Sequence, residues 1–126
     1  TPLYRKLGLK PGIRCQPIRP PANYPDLIAE AGGVRFMKRA RKADVVDLFC
    51  RSRRDLDQCI DDALDFVVEV GMLWVSWFKK RTPSFMDLTE NQLGEILLPR
   101  DWVDIKVRAV DQDWTALKLA LRKSSH

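Results

Sequence analysis

From Asp44 onward, apolar positions along this 126-residue chain change their period four times, and each change marks an element. Asp44–Cys50 carries Val45, Val46, Leu48 and Phe49 nearly without interruption, the composition of a strand buried on both faces. Leu56, Cys59, Ile60, Ala63, Leu64, Val67 and Val68 then recur at steps of three and four, which predicts an amphipathic helix over Asp55–Val70. Ser52 stands at its N-cap, with Asp55 three residues on in the place of a capping-box glutamate, and Gly71 falls where a left-handed C-cap residue belongs. Met72–Phe78 follows at once as a second strand. There Trp74 and Ser76 share one face, and Leu73, Val75 and Trp77 share the other.

Thr89 as N-cap, Gln92 at the third position and Leu88 paired with Leu93 as a hydrophobic staple open a further helix, which Pro99 stops. Val103, Ile105, Val107 and Ala109 then alternate with Asp104, Lys106 and Arg108. Beyond the polar turn Asp111-Gln112-Asp113, Leu117, Leu119 and Leu121 alternate with Lys118, Ala120 and Arg122. Two period-two runs around a turn predict an antiparallel hairpin, Val103–Val110 with Trp114–Arg122. The first half is less regular. Ile13–Ile18 reads as a strand that Pro17 demotes to an edge or irregular position, residues 20–25 as a loop, Asp26–Ala31 as a short helix stopped by Gly32-Gly33, and Val34–Met37 as a short strand.

Strand, helix and strand joined by short loops imply a right-handed crossover and a parallel pair. The expected fold is α/β: one domain over residues 1–126, with a Rossmann-like, mostly parallel sheet flanked by helices and a C-terminal antiparallel hairpin. The layout of the C-terminal half is similar to that of class I methyltransferases. Four segments also carry a likeness: Leu7-Gly8-Leu9-Lys10-Pro11-Gly12, Trp74-Val75-Ser76-Trp77-Phe78-Lys79-Lys80, Asp87-Leu88-Thr89-Glu90 and Val103-Asp104-Ile105-Lys106-Val107. Together they resemble a small bacterial family of one-domain proteins of unknown function. That resemblance implies an α/β protein without an assigned activity.

Composition narrows the chemistry. The net charge of +5 favours anionic partners. Cys15, Cys50 and Cys59 have neither a C-x-x-C nor a zinc-ligand spacing and fit a reducing cytoplasm. The one histidine is His126, the last residue, which argues against a histidine-dependent nucleophile or metal centre. No apolar stretch is long enough to span a bilayer, so a soluble protein away from membranes is expected. Methyl transfer needs a glycine-rich loop after the first strand and an acid after the second. Here those places hold Arg19-Pro20-Pro21-Ala22-Asn23 and Lys38-Arg39-Ala40-Arg41-Lys42, so no cofactor is expected.

The remaining signal is positional. In open α/β sheets ligands bind beyond the carboxyl ends of the parallel strands. Arg19 follows the first strand; Arg51, Ser52, Arg53 and Arg54 follow the next and open the best helix; Lys79 and Lys80 follow the third. A helix N-terminus beside them adds N–H donors for an anion. The expected role is therefore a non-catalytic Rossmann-like module binding an anionic small molecule or a protein partner on this edge. Two alternatives stand beside it: a nucleic-acid-binding protein using the same edge, and a degenerate methyltransferase-like enzyme. The four tryptophans, the acids Asp61, Asp62 and Asp65, and Cys50 read as core, solvated helix face and inert buried thiol.

Overall fold

The computed structural model describes residues 8–28, 32–36, 42–110 and 112–121. Six strands form one mixed sheet: β1 (Arg14–Ile18), β2 (Arg35–Phe36), β3 (Ala43–Cys50), β4 (Val67–Phe78), β5 (Trp102–Ala109) and β6 (Trp114–Leu121), in the order β2-β1-β3-β4-β6-β5. β2, β1, β3 and β4 run parallel, while β6 is antiparallel to both β4 and β5. The helices are α1 (Tyr24–Leu27), α2 (Arg53–Phe66) and α3 (Glu90–Leu97), the last continued by a 3₁₀ turn, Leu98–Arg100. The expected α/β fold and its C-terminal hairpin are both present.

β3 lies inside the sheet because its sequence has nowhere else to go. Every residue of it except Asp44 is buried. Val46, Leu48 and Cys50 face one layer with Leu73, Val75 and Trp77 of β4, Leu117 and Leu119 of β6, and the apolar stripes of α2 and α3. Val45 and Phe49 face the other, where they meet Cys15, Tyr24, Trp74 and Trp114. The alternation read from Met72–Phe78 therefore holds, and all four tryptophans are buried. Tyr24, Phe49 and Trp114 pack edge to face with centroids 5.5 and 5.2 Å apart, a geometry the ring quadrupoles favour.

The short helix expected over Asp26–Ala31 instead spans Tyr24–Leu27, beginning inside the expected loop 20–25, and three further expectations change. α2 ends at Phe66, not Val70, and β4 begins at the next residue. Val67, Val68 and Val70 are β-branched, and their stiff side chains favour the strand once it can pair. Ala43 stands opposite Val67 but Val45 opposite Met72, so β4 takes up its extra length in an irregularity. Gly71 is consequently a buried strand residue and caps no helix. Second, β1 is not an edge: β3 flanks it from Cys15 to Ile18, and among the described residues β2 pairs with it at Arg14 and Cys15. Pro17 lies two residues past the last described pair with β2, Cys15 with Phe36. Third, a register shift between Asp104 and Lys106 breaks the alternation of the edge strand β5, leaving Val107 exposed. Ala29–Ala31, Met37, residues 38–41 of the basic run, Asp111 and Arg122 lie outside the described residues.

Leu56, on the first turns of α2, is fully buried, whereas Leu64 is only half-buried against the same layer. Urea melts should show Leu56→Ala losing about 2–5 kcal/mol, the usual loss for a leucine that leaves a cavity. Leu64→Ala should lose clearly less. Equal losses would mean that α2 is rotated relative to the sheet.

Candidate functional site

Parallel β1, β3 and β4 bring their carboxyl ends together. Ile18 pairs with Leu48 and Cys50 with Trp77, so the loops that follow them leave the sheet side by side. The chain passes from β1 to β2 on one side and then to β3 on the other, which makes the end of β1 the topological switch point. Arg19 stands there in the left-handed region at φ 53°, an uncommon conformation for a non-glycine residue and a place where strain is stored.

The Arg19 side chain crosses the crevice to α2. Its Nε donates to Cys59 Sγ at 3.1 Å, and its two Nη atoms donate to Asp55 Oδ1 and Gln58 Oε1, each at 3.2 Å. The thiol and the Asp55 carboxylate both hold the guanidinium protonated, raising its pKa. Asp55 is shared: its Oδ2 accepts from the Arg51 backbone N–H at 2.8 Å. The open end of α2 is occupied from within the chain as well. Ser52 Oγ accepts from the Asp55 N–H, and Asp87 Oδ1 accepts from the Arg53 N–H at 2.9 Å. Carboxylates at a helix N-terminus are stabilised by its unpaired donors and dipole.

The seven expected site residues thus share one edge of the sheet but differ in employment. Arg19 and Arg53 are paired with acids, Arg53 Nε lying 3.1 Å from Asp57 Oδ1 one helical turn on. Ser52 caps α2. Arg51 lies with its guanidinium carbon 5.9 Å from the Trp114 ring centre, a cation–π distance. The Lys79 backbone N–H donates to Asp113 O. Arg54 and Lys80 are exposed. Lys79, Lys80 and Arg81 surround buried Trp77 in an open recess of about 430 Å³.

The acids were the residues missed. Arg53 and Asp57 at i and i+4 could have been read from their spacing. Asp87 is 34 residues from Arg53, and nothing local announces it.

A second polar group lies on the opposite layer. Tyr24 Oη donates to Asp47 Oδ2 at 3.0 Å and stands 3.9 Å from Cys15 Sγ. Asp47 is buried in mid-strand, and its Oδ1 has no hydrogen-bond partner among the described residues; the same is true of Ser76 Oγ on β4. Burial raises the Asp47 carboxyl to about 7 against the opposing effect of the Tyr24 hydrogen bond, and burial with the nearby Asp47 pushes Cys15 up to about 12. The sequence signal was an acid inside the otherwise apolar run Val45–Phe49.

With that geometry in view, comparisons with known proteins agree on the scaffold. No protein-family model matches the chain, and no curated protein matches it. Among solved structures it is similar to a Sulfolobus solfataricus protein assigned to the type 11 methyltransferases, at 11% identity and TM-score 0.67, over 98% of this chain and 92% of that one. It is also similar to magnesium protoporphyrin IX methyltransferase of Synechocystis with bound S-adenosylmethionine, at 12% identity and TM-score 0.64, over 94% and 74%. A third is the 1,6-didemethyltoxoflavin N1-methyltransferase of Burkholderia thailandensis with bound S-adenosylhomocysteine, at 13% identity and TM-score 0.59, over 96% and 75%. The chain has the Rossmann-like fold of these methyltransferases. No helix among the described residues is long and apolar enough to cross a membrane.

Asp47 generates a pH dependence of fixed sign. Below pH 3.8 it is protonated in both folded and unfolded chains and has no effect. Between that value and about pH 7 the unfolded chain gives up the proton while the folded one keeps it, so stability falls as pH rises. Asp47→Asn should therefore raise stability at pH 8, by on the order of 2–4 kcal/mol, and flatten the decline between pH 4 and 7. Parallel stability–pH curves for both proteins would show that Asp47 is ionised in the fold.

Proposed function

We propose that this chain is a degenerate methyltransferase-like protein, one that keeps the scaffold and uses its carboxyl edge for an anionic small molecule or a protein partner. The observation that carries this reading is Arg19. Ligands of open α/β sheets enter the crevice at the switch point, where glycine lets the backbone approach them. Here the loop is Arg19-Pro20-Pro21, without glycine, and the Arg19 guanidinium bridges from β1 to Asp55, Gln58 and Cys59 of α2. The residues after β2 are Met37-Lys38-Arg39, with no acid to accept from ribose hydroxyls. S-adenosylmethionine itself carries a sulfonium cation, which a neighbouring arginine repels. These residues do not fit the cofactor, and no methyl-transfer step follows from them.

What the edge offers instead is exposed positive charge. Arg51, Arg54, Lys80 and Arg81 are all solvent-facing, and Lys79, Lys80 and Arg81 line an open recess with Trp77 and Thr115. A phosphate or carboxylate group suits such a rim. Nucleic acid is less suited, because α2, which starts at this edge and runs away from it, exposes Asp57, Asp61, Asp62 and Asp65 along its length and would repel a phosphate backbone laid across it.

A second reading, an active methyltransferase, is favoured by the likeness over 98% of the chain to a methyltransferase-class protein. Calorimetry separates the two. The proposed reading expects no binding of S-adenosylmethionine, and a dissociation constant of about a micromolar or tighter would establish the enzyme reading. It also expects phosphate to raise the melting temperature more than chloride at equal ionic strength, and Arg54→Glu with Lys80→Glu to remove the difference. If wild type and double variant respond alike, only general salt effects act and the anion edge fails.

A further inference from the structure

A groove of about 510 Å³ runs between α3, its 3₁₀ continuation and the hairpin, and at the start of α3 it adjoins the recess that Glu90 and Asn91 share with Trp77 and Lys80. Trp102, Leu117 and Leu119 form its floor, and Leu97, Leu98 and Pro99 form an apolar wall. Its volume lies in the range of small-molecule sites. We propose that this groove binds an apolar organic cation: an aliphatic or aromatic body carrying a protonated amine.

Two independent observations carry the proposal. The first is Gly94, which sits in the interior of α3 and lines the groove. Glycine is the least favourable helix residue after proline. Its φ is not positive, and a Cβ built on it would meet nothing nearer than Leu98 Cδ1 at 3.9 Å, an ordinary contact. Neither backbone conformation nor close packing calls for glycine there. Its effect is to leave a notch in the helix face between Asn91 and Leu98, and Leu98 beside that notch is 47% exposed.

The second is charge. In a chain of net charge +5, the two ionisable groups on the rim are Glu90 and Glu95, both exposed and without an ion pair among the described residues. Arg100 is paired with Asp61 of α2 at 3.1 Å, and Lys80 lines the adjoining recess with Glu90 but not the groove itself, which leaves Glu95 and the far side of Glu90 as its charged rim. An apolar trough with an acidic rim is complementary to a hydrophobic cation and repels a hydrophobic anion.

The test uses the whole chain and three probes of equal length: octylammonium, octanoate and octanol. The readout is the chemical shift of the Gly94 amide and the Trp102 indole N–H. Octylammonium should shift both saturably and bind about tenfold more tightly than octanoate, with octanol between them. Glu90→Gln with Glu95→Gln should remove that preference while leaving the apolar component. Gly94→Leu should abolish binding and keep a melting temperature at or above that of wild type. Should that variant misfold, Gly94→Ala, whose added methyl has free space, should weaken octylammonium severalfold. Equal affinity for the three probes, no saturable shift, or binding unchanged by the glycine variants would overturn the proposal. So would sedimentation of the wild type as a dimer that Gly94→Leu converts to monomer, since the groove would then be a self-interface.

Discussion

Burial of β3 on both faces is the constraint from which the rest of the molecule follows. A strand with seven of its eight residues buried must have a neighbour on each side and a layer on each face. β1 and β4 supply the neighbours, in parallel, so the connection to β4 must cross the sheet, and α2 is that crossing. Once β1, β3 and β4 point the same way, their carboxyl ends form a common edge and every loop after them is committed to it. Both the basic character of that edge and the crevice at β1 are consequences of this register.

The edge then resolves a conflict of its own making. Loops rich in arginine and lysine converge beside the positive end of α2, an arrangement that repels itself. The chain answers with internal acids. Asp55 takes Arg19 and the Arg51 N–H, Asp87 takes the Arg53 N–H, and Asp57 takes the Arg53 side chain. The switch point of a methyltransferase-type sheet is in this way bridged by protein groups. Polar burial on the other layer is less complete: Asp47 keeps one hydrogen bond from Tyr24 and one orphaned oxygen, and a fold that retains a raised carboxyl there gives up stability at neutral pH.

Much of this was legible in the sequence, and the reasons are physical. Val45–Cys50, the stripe from Leu56 to Leu64 and the alternation around Asp111-Gln112-Asp113 announce their elements because each buries one defined face. The α2–β4 boundary was misplaced because Val67 and Val68 continue the helical spacing while their branching prefers a strand, and only strand pairing decides between the two. The loops of the edge were legible from strand order. Their pairing was not, since Arg19 with Asp55 and Arg53 with Asp87 are contacts 36 and 34 residues apart in sequence.

The central claim is that Arg19 bridges the crevice at β1. It is tested most directly by the arginine Nε–H signals in a ¹H–¹⁵N spectrum of the intact protein. A bridge held by Cys59, Asp55 and Gln58 predicts a resolved, slowly exchanging Arg19 Nε–H whose shift moves on Cys59→Ser and on Asp55→Asn, while exposed Arg54 exchanges fast in all three proteins. An Arg19 Nε–H that exchanges as fast as that of Arg54 and ignores both substitutions would mean an open crevice, and would contradict the account.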